Sequence, residues 1–192
     1  MITKSYSQSG QDRFVDLILK YKLLGTFLDI GANHPIELSN TYALEKELGW
    51  TGTLVERDAH CIELLRQERN GMIWPVDALE ANWAGLAGVI DYLSLDCDEN
   101  TAQILDNLLK RSDLLRFRVL TVETDAYRFG PEVRDRIDLA LKNAGYDVLC
   151  RNVRSSEGMI YESWAVDPKL VDMENAERFR SDGLKWSEIL AK

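Results

Sequence analysis

The chain contains no run of about 18 consecutive apolar residues, the length a helix needs to cross a bilayer, so no membrane-spanning segment is expected. Its first residues, Met1-Ile2-Thr3-Lys4-Ser5-Tyr6, lack the apolar centre of a secretory signal, and a cytoplasmic location without membrane attachment is the expectation. Cysteine is scarce: Cys61, Cys97 and Cys150 are odd in number, widely spaced and free of a CxxC pair. That spacing suggests neither a disulfide framework nor a zinc site, and reads as buried thiols in a reducing compartment. Positive charge is also short, with 23 Lys and Arg against 32 Asp and Glu and a net charge of −9. Such a balance repels a phosphate backbone and disfavours nucleic acid as the main partner, while leaving room for a cationic ligand. Finally, the loop Gly31-Ala32-Asn33-His34-Pro35-Ile36 is not GxGxxG, holds no basic residue for a pyrophosphate, and is accompanied by no P-loop, which excludes dinucleotides, ATP and GTP as expected ligands.

What is present is a repeating α/β pattern. With 192 residues, 45% of them apolar, the chain can bury one sizeable core, so one domain over 1–192 is expected. Phe27-Leu28-Asp29-Ile30 reads as a first strand that delivers Gly31, Ala32 and Asn33 as a ligand loop, because glycine tolerates the dihedrals that let backbone approach a ligand. Ahead of it, Phe14, Leu17, Ile18 and Tyr21 recur at helical spacing within 5–24, with Ser9 and Asp12 as a capping pair. Ser39-Asn40-Thr41 offers cap chemistry for a helix that Gly49 stops. Thr53–Glu56 is a second strand, and its acid lies 27 positions after Asp29, close to the spacing at which nucleotide folds place a ribose-binding carboxylate. Met72–Val76 is a third strand; Pro75 confines it to a sheet edge. Residues 78–89 form a crossover in which Trp83 packs. Ile90–Leu95 and Phe117–Val122 are the fourth and fifth strands, followed by helices beginning near Asn100 and at Pro131. Tyr146–Cys150 and Ile160–Val166 make a hairpin, and Leu184, Trp186, Ile189 and Leu190 dock a terminal helix within a charged tail over 169–192. The fold class is therefore a doubly wound, Rossmann-like α/β domain whose core covers 25–168. Acids end five strands: Asp29, Glu56, Asp77, Asp96 and Glu123. On one rim they would repel one another unless a cation or a dense hydrogen-bond set sits among them.

The segments Ser7-Gln8-x-Gly10-Gln11-Asp12, Phe27 through Pro35, Leu38-Ser39-Asn40-Thr41-Tyr42, Leu48-Gly49-Trp50-Thr51-Gly52 and Val55-Glu56, with Ile90 through Asp96, resemble the FkbM-type S-adenosylmethionine-dependent methyltransferases. The resemblance covers most of residues 5–168. It implies a mostly parallel seven-stranded sheet with an antiparallel last strand, S-adenosylmethionine as cofactor, and O-methylation of a sugar or another small hydroxylated molecule. By the same resemblance Asp29, Gly31 and Asn33 line the methionine part, Asn40 belongs to the cofactor set, Glu56 takes the ribose hydroxyls, Asp77 meets the adenine amine, and Asp96 sits near the methionine amine or the substrate. The chain departs from the family where Asp-x-Glu-Gly is replaced by Asp96-Cys97-Asp98-Glu99-Asn100.

Methyl transfer needs an aligned acceptor and removal of its proton, and the candidate proton-removing residues are His34, Asp96, Asp98, Glu123 and Asp125. Asp96, Asp98, Glu123 and Asp125 also have the oxygens to hold a hard divalent ion, but a solvated acidic rim is the preferred reading and no metal is assigned. The expected partner is a small-molecule or glycosyl acceptor, not nucleic acid; a homo-oligomer is left open. A methyltransferase-like fold serving as a non-catalytic binding or assembly module is the alternative.

Overall fold

Alternation along the first strand decides the layering. In β1 (Thr26–Ile30), successive side chains point to opposite faces, so Phe27 joins one core while Leu28 and Ile30 join the other. The computed structural model describes all 192 residues. Its other strands are β2 (Thr51–Glu56), β3 (Met72–Pro75), β4 (Gly88–Leu95), β5 (Leu115–Glu123), β6 (Asp147–Arg154), β7 (Ile160–Val166) and β8 (Ser181–Asp182). All eight form one sheet in the order β3-β2-β1-β4-β5-β7-β6-β8. The first five run parallel, and β7 is antiparallel to both β5 and β6.

The helices are α1 (Gln11–Ile18), α2 (Tyr42–Leu48), α3 (Ala59–Glu68), α4 (Thr101–Leu109), α5 (Ala126–Phe129), α6 (Pro131–Asn143), α7 (Met173–Glu177) and α8 (Trp186–Leu190). One face of the sheet carries a core built on Phe14, Phe27, Trp50, Tyr92, Trp164 and Phe179. The other buries Leu28, Ile30, Leu93, Leu105, Leu120 and Leu141 beneath α4 and α6. Because the central strands are covered on both faces, their sequences read as nearly unbroken apolar runs.

Several expectations needed correction. The sheet has eight strands rather than seven, because Ser181 and Asp182 pair with Cys150 and Arg151 and cover part of the outer edge of β6. Within 5–24 only Gln11–Ile18 is helical; Lys20, Tyr21 and Leu24 adopt positive φ and turn the chain before Gly25. Ser9 does not cap that helix. Gly10 occupies the cap at φ 71°, and the Asp12 carboxylate instead accepts from the Ser5 hydroxyl, the Tyr6 N–H and the Ser7 hydroxyl at 2.6, 2.9 and 2.8 Å, folding the N-terminal arm inward. Thr41 holds the cap position of α2 without capping it, since its hydroxyl goes to Asp29. The expected crossover 78–89 is shorter, since β4 already begins at Gly88, and its one helical piece is a 3₁₀ turn at Trp83–Gly85, with Trp83 packed 6.0 Å from Trp74. As the proline required, β3 lies at the edge. No helix is long and apolar enough to cross a membrane.

Candidate functional site

Beyond the carboxyl ends of β1, β2 and β4 lies a pocket of about 350 Å³. Asp29, Gly31, Asn33, Asn40, Glu56, Asp77, Asp96 and Asp98 all line it, with Gln8, Arg57, Cys61 and Cys97. His34, Glu123 and Asp125 do not. The thiols of Cys61 and Cys97 are thus pocket groups, and only Cys150 is the buried cysteine that scarcity and spacing suggested.

Each lining residue is held by its neighbours. Gly31 has φ 81°, and a β-carbon there would lie 1.7 Å from the Asp96 carbonyl oxygen, so the loop passes against the end of β4 in a way no other residue permits. Glu56 takes backbone N–H groups on both oxygens: Asn33 at 2.8 Å on Oε2, and Arg57 and Asp58 at 2.7 and 2.8 Å on Oε1. Its second oxygen thereby keeps acceptor capacity toward the pocket. Asn40 donates to the Ser94 hydroxyl at 3.0 Å, and its Oδ1 is buried without a partner. Asp77 is not free, because Arg57 pairs with it at 2.8 Å. The Leu79 N–H first, and then the guanidinium, hold its carboxyl below the usual range.

Asp29 lies deeper and is tied to a residue with no motif to announce it. The Thr41 hydroxyl donates to Asp29 Oδ2 at 2.6 Å and accepts from Arg69 Nη2 at 2.8 Å. Arg69 is fully enclosed; it also donates to Glu45, the Ser39 hydroxyl and the Pro35 carbonyl, so it clamps the whole 35–41 loop beneath the pocket. Burial raises the Asp29 carboxyl despite these donors. At Glu45 burial is outweighed by Arg69 and the Asn70 N–H, and its carboxyl is held low.

The expected proton-removing residues separate. His34 Nδ1 accepts from the N–H groups of Ile36 and Glu37 at 3.2 and 2.9 Å, so it closes its own turn, and His34 is not among the pocket-lining residues. Asp98 is exposed and pairs with Arg128 at 2.7 Å. Glu123 and Asp125 are buried behind Asp96. Tyr161, which no sequence pattern singled out, donates to Gln8 Oε1 at 2.9 Å and lies 3.2 Å from Asp96 Oδ2. Beside it, Glu162 accepts from Gln11 at 2.6 Å and from the Trp164 indole; burial pushes its carboxyl up to about 8. No three His, Cys, Asp or Glu side chains converge in a geometry that could hold a metal ion.

No family model matches the chain, and no curated protein matches it. Solved structures do match in fold. A candidate rRNA methylase from Clostridium thermocellum is 12% identical, with 86% of this chain and 97% of that one covered at a TM-score of 0.59. The N-terminal domain of EvdMO1, crystallised in the presence of SAH and D-fucose, is 16% identical over 85% and 84% of the two chains, TM-score 0.54. NodS, an N-methyltransferase from Bradyrhizobium japonicum WM9, is 15% identical over 82% and 94%, TM-score 0.52. The chain has the Rossmann-like fold of these methyltransferases.

Proposed function

We propose that the protein is an S-adenosylmethionine-dependent methyltransferase that methylates a hydroxyl on a neutral or cationic small molecule such as a sugar. One observation carries the reading: Asp29, Glu56 and Asp77, from three neighbouring strand ends, line a single pocket that offers no uncommitted basic side chain. Such a pocket suits a ligand with hydroxyls, an amine and a positive centre, and suits a phosphate poorly.

The donor set fits the cofactor. Glu56 has acceptor capacity left for ribose hydroxyls, Asp77 and Arg57 flank the adenine side, and the unpartnered Asn40 Oδ1 awaits a donor such as the amino group of the methionine part. When bound, S-adenosylmethionine supplies a methyl group on a positively charged sulfur. What the chain adds is position and charge: Asp29, Gly31 and Asn33 shape the floor, and Gln8, Asp96 and Asp98 face the side left for an acceptor. O-methylation rests on the FkbM-type motifs.

An RNA acceptor is the second reading, because the fold is shared with a candidate rRNA methylase. Charge argues against it, since the rim is acidic and the chain carries −9. Incubation with methyl-labelled S-adenosylmethionine and a panel of neutral sugars, hexosamines, sugar phosphates and total RNA decides between them. Label is expected in neutral or amino sugars. Label confined to RNA or sugar phosphates contradicts the proposed acceptor, and cofactor binding with no label anywhere favours the non-catalytic module.

A further inference from the structure

Behind the pocket, three carboxylates stand in a row at neighbouring strand ends. Leu95 pairs with Val122 and Glu123 pairs with Glu162, which brings Asp96, Glu123 and Glu162 side by side across β4, β5 and β7. Asp96 faces the pocket. Glu123 lies behind it at 6% exposure, and its Oε2 has no hydrogen-bond partner. Asp125, at 2% exposure, also leaves an oxygen unpartnered. Neither Asp96, Glu123 nor Glu162 forms an ion pair. Arg128, the one nearby cation, lies on the outer side, 2.7 Å from Asp98 and 3.6 Å from Asp125. Both oxygens of Glu162 are occupied by Gln11 and Trp164. A carboxyl oxygen buried among acids, with no cation or donor at hand, is satisfied when a proton lies between two of them.

We propose that Asp96 and Glu123 share one proton at neutral pH and that this pair is the proton acceptor of the site, with Asp96 as the catalytic residue and Glu123 holding it in place from behind. The inference rests on the methyltransferase reading. In the step, the acceptor oxygen forms its bond to the methyl carbon, the carbon–sulfur bond breaks with its electron pair remaining on sulfur, and the hydroxyl proton passes to the Asp96 carboxylate. Glu123, donating its own proton to Asp96, keeps that carboxylate oriented, and Asp96 returns the acquired proton to water through the open pocket. On the other side of Asp96 stands the Tyr161 hydroxyl, 3.2 Å from Asp96 Oδ2 and 2.9 Å from Gln8 Oε1, which share its one proton. The groups that face Glu123 agree with this state: Asp96 from the end of β4, Asp125 from its own segment, and Tyr161 and Glu162 from β7 bring no positive charge, while Arg128 of α5 is committed elsewhere. Burial, then the neighbouring Asp96, pushes the Glu123 carboxyl far above the ordinary range, in keeping with a held proton.

Infrared spectroscopy of the full chain without ligand tests the pair. Beside the band of the raised Glu162, which Glu162→Gln removes, one further protonated-carboxyl band is expected at pH 7, absent in Glu123→Gln. In Asp96→Asn, a partly exposed position that gives a second route should Glu123→Gln fail to fold, the band should titrate at least one pH unit lower. No band beyond that of Glu162, or the same midpoint in Asp96→Asn, overturns the shared proton, since a proton held between the two carboxyls must respond when one of them is removed. Catalysis is read as kcat for transfer to a sugar that takes label: Asp96→Asn should lose roughly 100-fold or more with KM for S-adenosylmethionine little changed, and Glu123→Gln should shift the pH profile while Glu123→Asp restores it. Wild-type kcat in Asp96→Asn overturns the catalytic role. The infrared arm uses no cofactor, so failure to bind cofactor would sink the methyltransferase reading and leave the band to report separately on the pair.

Discussion

At Gly31 a β-carbon would stand 1.7 Å from a backbone oxygen, which leaves nothing flexible to yield. Gly31→Ala is therefore expected to destabilise the fold by roughly 2 to 4 kcal/mol and to abolish cofactor binding, read by chemical denaturation and calorimetry. A different physics governs Arg69. Its guanidinium is enclosed and paired with Glu45 Oε2, so Arg69→Met leaves that oxygen without its partner, with only Lys46 and the Asn70 N–H on the other, and unpins Thr41, Ser39 and Pro35; a loss of about 2 to 4 kcal/mol is expected in the same denaturation experiment. A change under 1 kcal/mol would mean that the clamp does not hold the loop. These two residues also mark what was legible. Gly31 and the strand-ending acids announce themselves by position, because an acid closing an apolar run has few other uses. Arg69 is one more basic residue at a helix end, and only folding shows which way it points. Glu162 carried a fainter signal, as a lone acid inside the apolar run Ile160–Val166. His34 gave no such signal, because a loop histidine looks the same in sequence whether it serves a substrate or, as its Nδ1 does here, its own turn.

Elements were legible in proportion to how strongly local chemistry decides them. Pro75 placed β3 at the edge, Pro131 opened α6, and Gly49 closed α2 in the left-handed region, each from a backbone restriction that tertiary context cannot relax. The N-terminal helix was overextended, since Tyr21 keeps the helical spacing while the chain has already turned at Lys20. Two-residue β8 has no pattern to detect. Contacts from the tail are long-range as well: α8 rests Trp186 and Leu190 on Gly10, where a β-carbon would meet Leu190 Cδ1 and Trp186 Cε3 at 2.7 Å. Gly10→Ala should push α8 off α1, raising hydrogen exchange across 184–192 and lowering stability by about 1 to 3 kcal/mol. Unchanged exchange there would show that α8 is not seated on the glycine.

For the whole molecule, the buried acids set the dependence of stability on pH. Asp16, Asp29 and Glu162 are all raised, in each case chiefly by burial. A carboxyl raised by folding contributes stability that is complete below its unfolded value and is lost as pH climbs through its folded one. For Glu162 that window runs from 4.5 to about 8. Glu45 and Asp77, held low, act below it. Tm should therefore fall between pH 5 and pH 8, with Glu162 contributing at most roughly 4 to 5 kcal/mol, and Glu162→Gln should flatten the slope even if it lowers Tm at pH 5. A Tm that rises across this range would contradict the assignment.

The central claim is that acids from three strand ends hold S-adenosylmethionine, and calorimetric titration of S-adenosylhomocysteine into the wild type and Glu56→Ala tests it most directly. Saturable one-site binding is predicted for the wild type, weakened at least about tenfold in Glu56→Ala while the variant stays folded. Absence of binding at millimolar ligand, or equal affinity in the two proteins, would contradict the account.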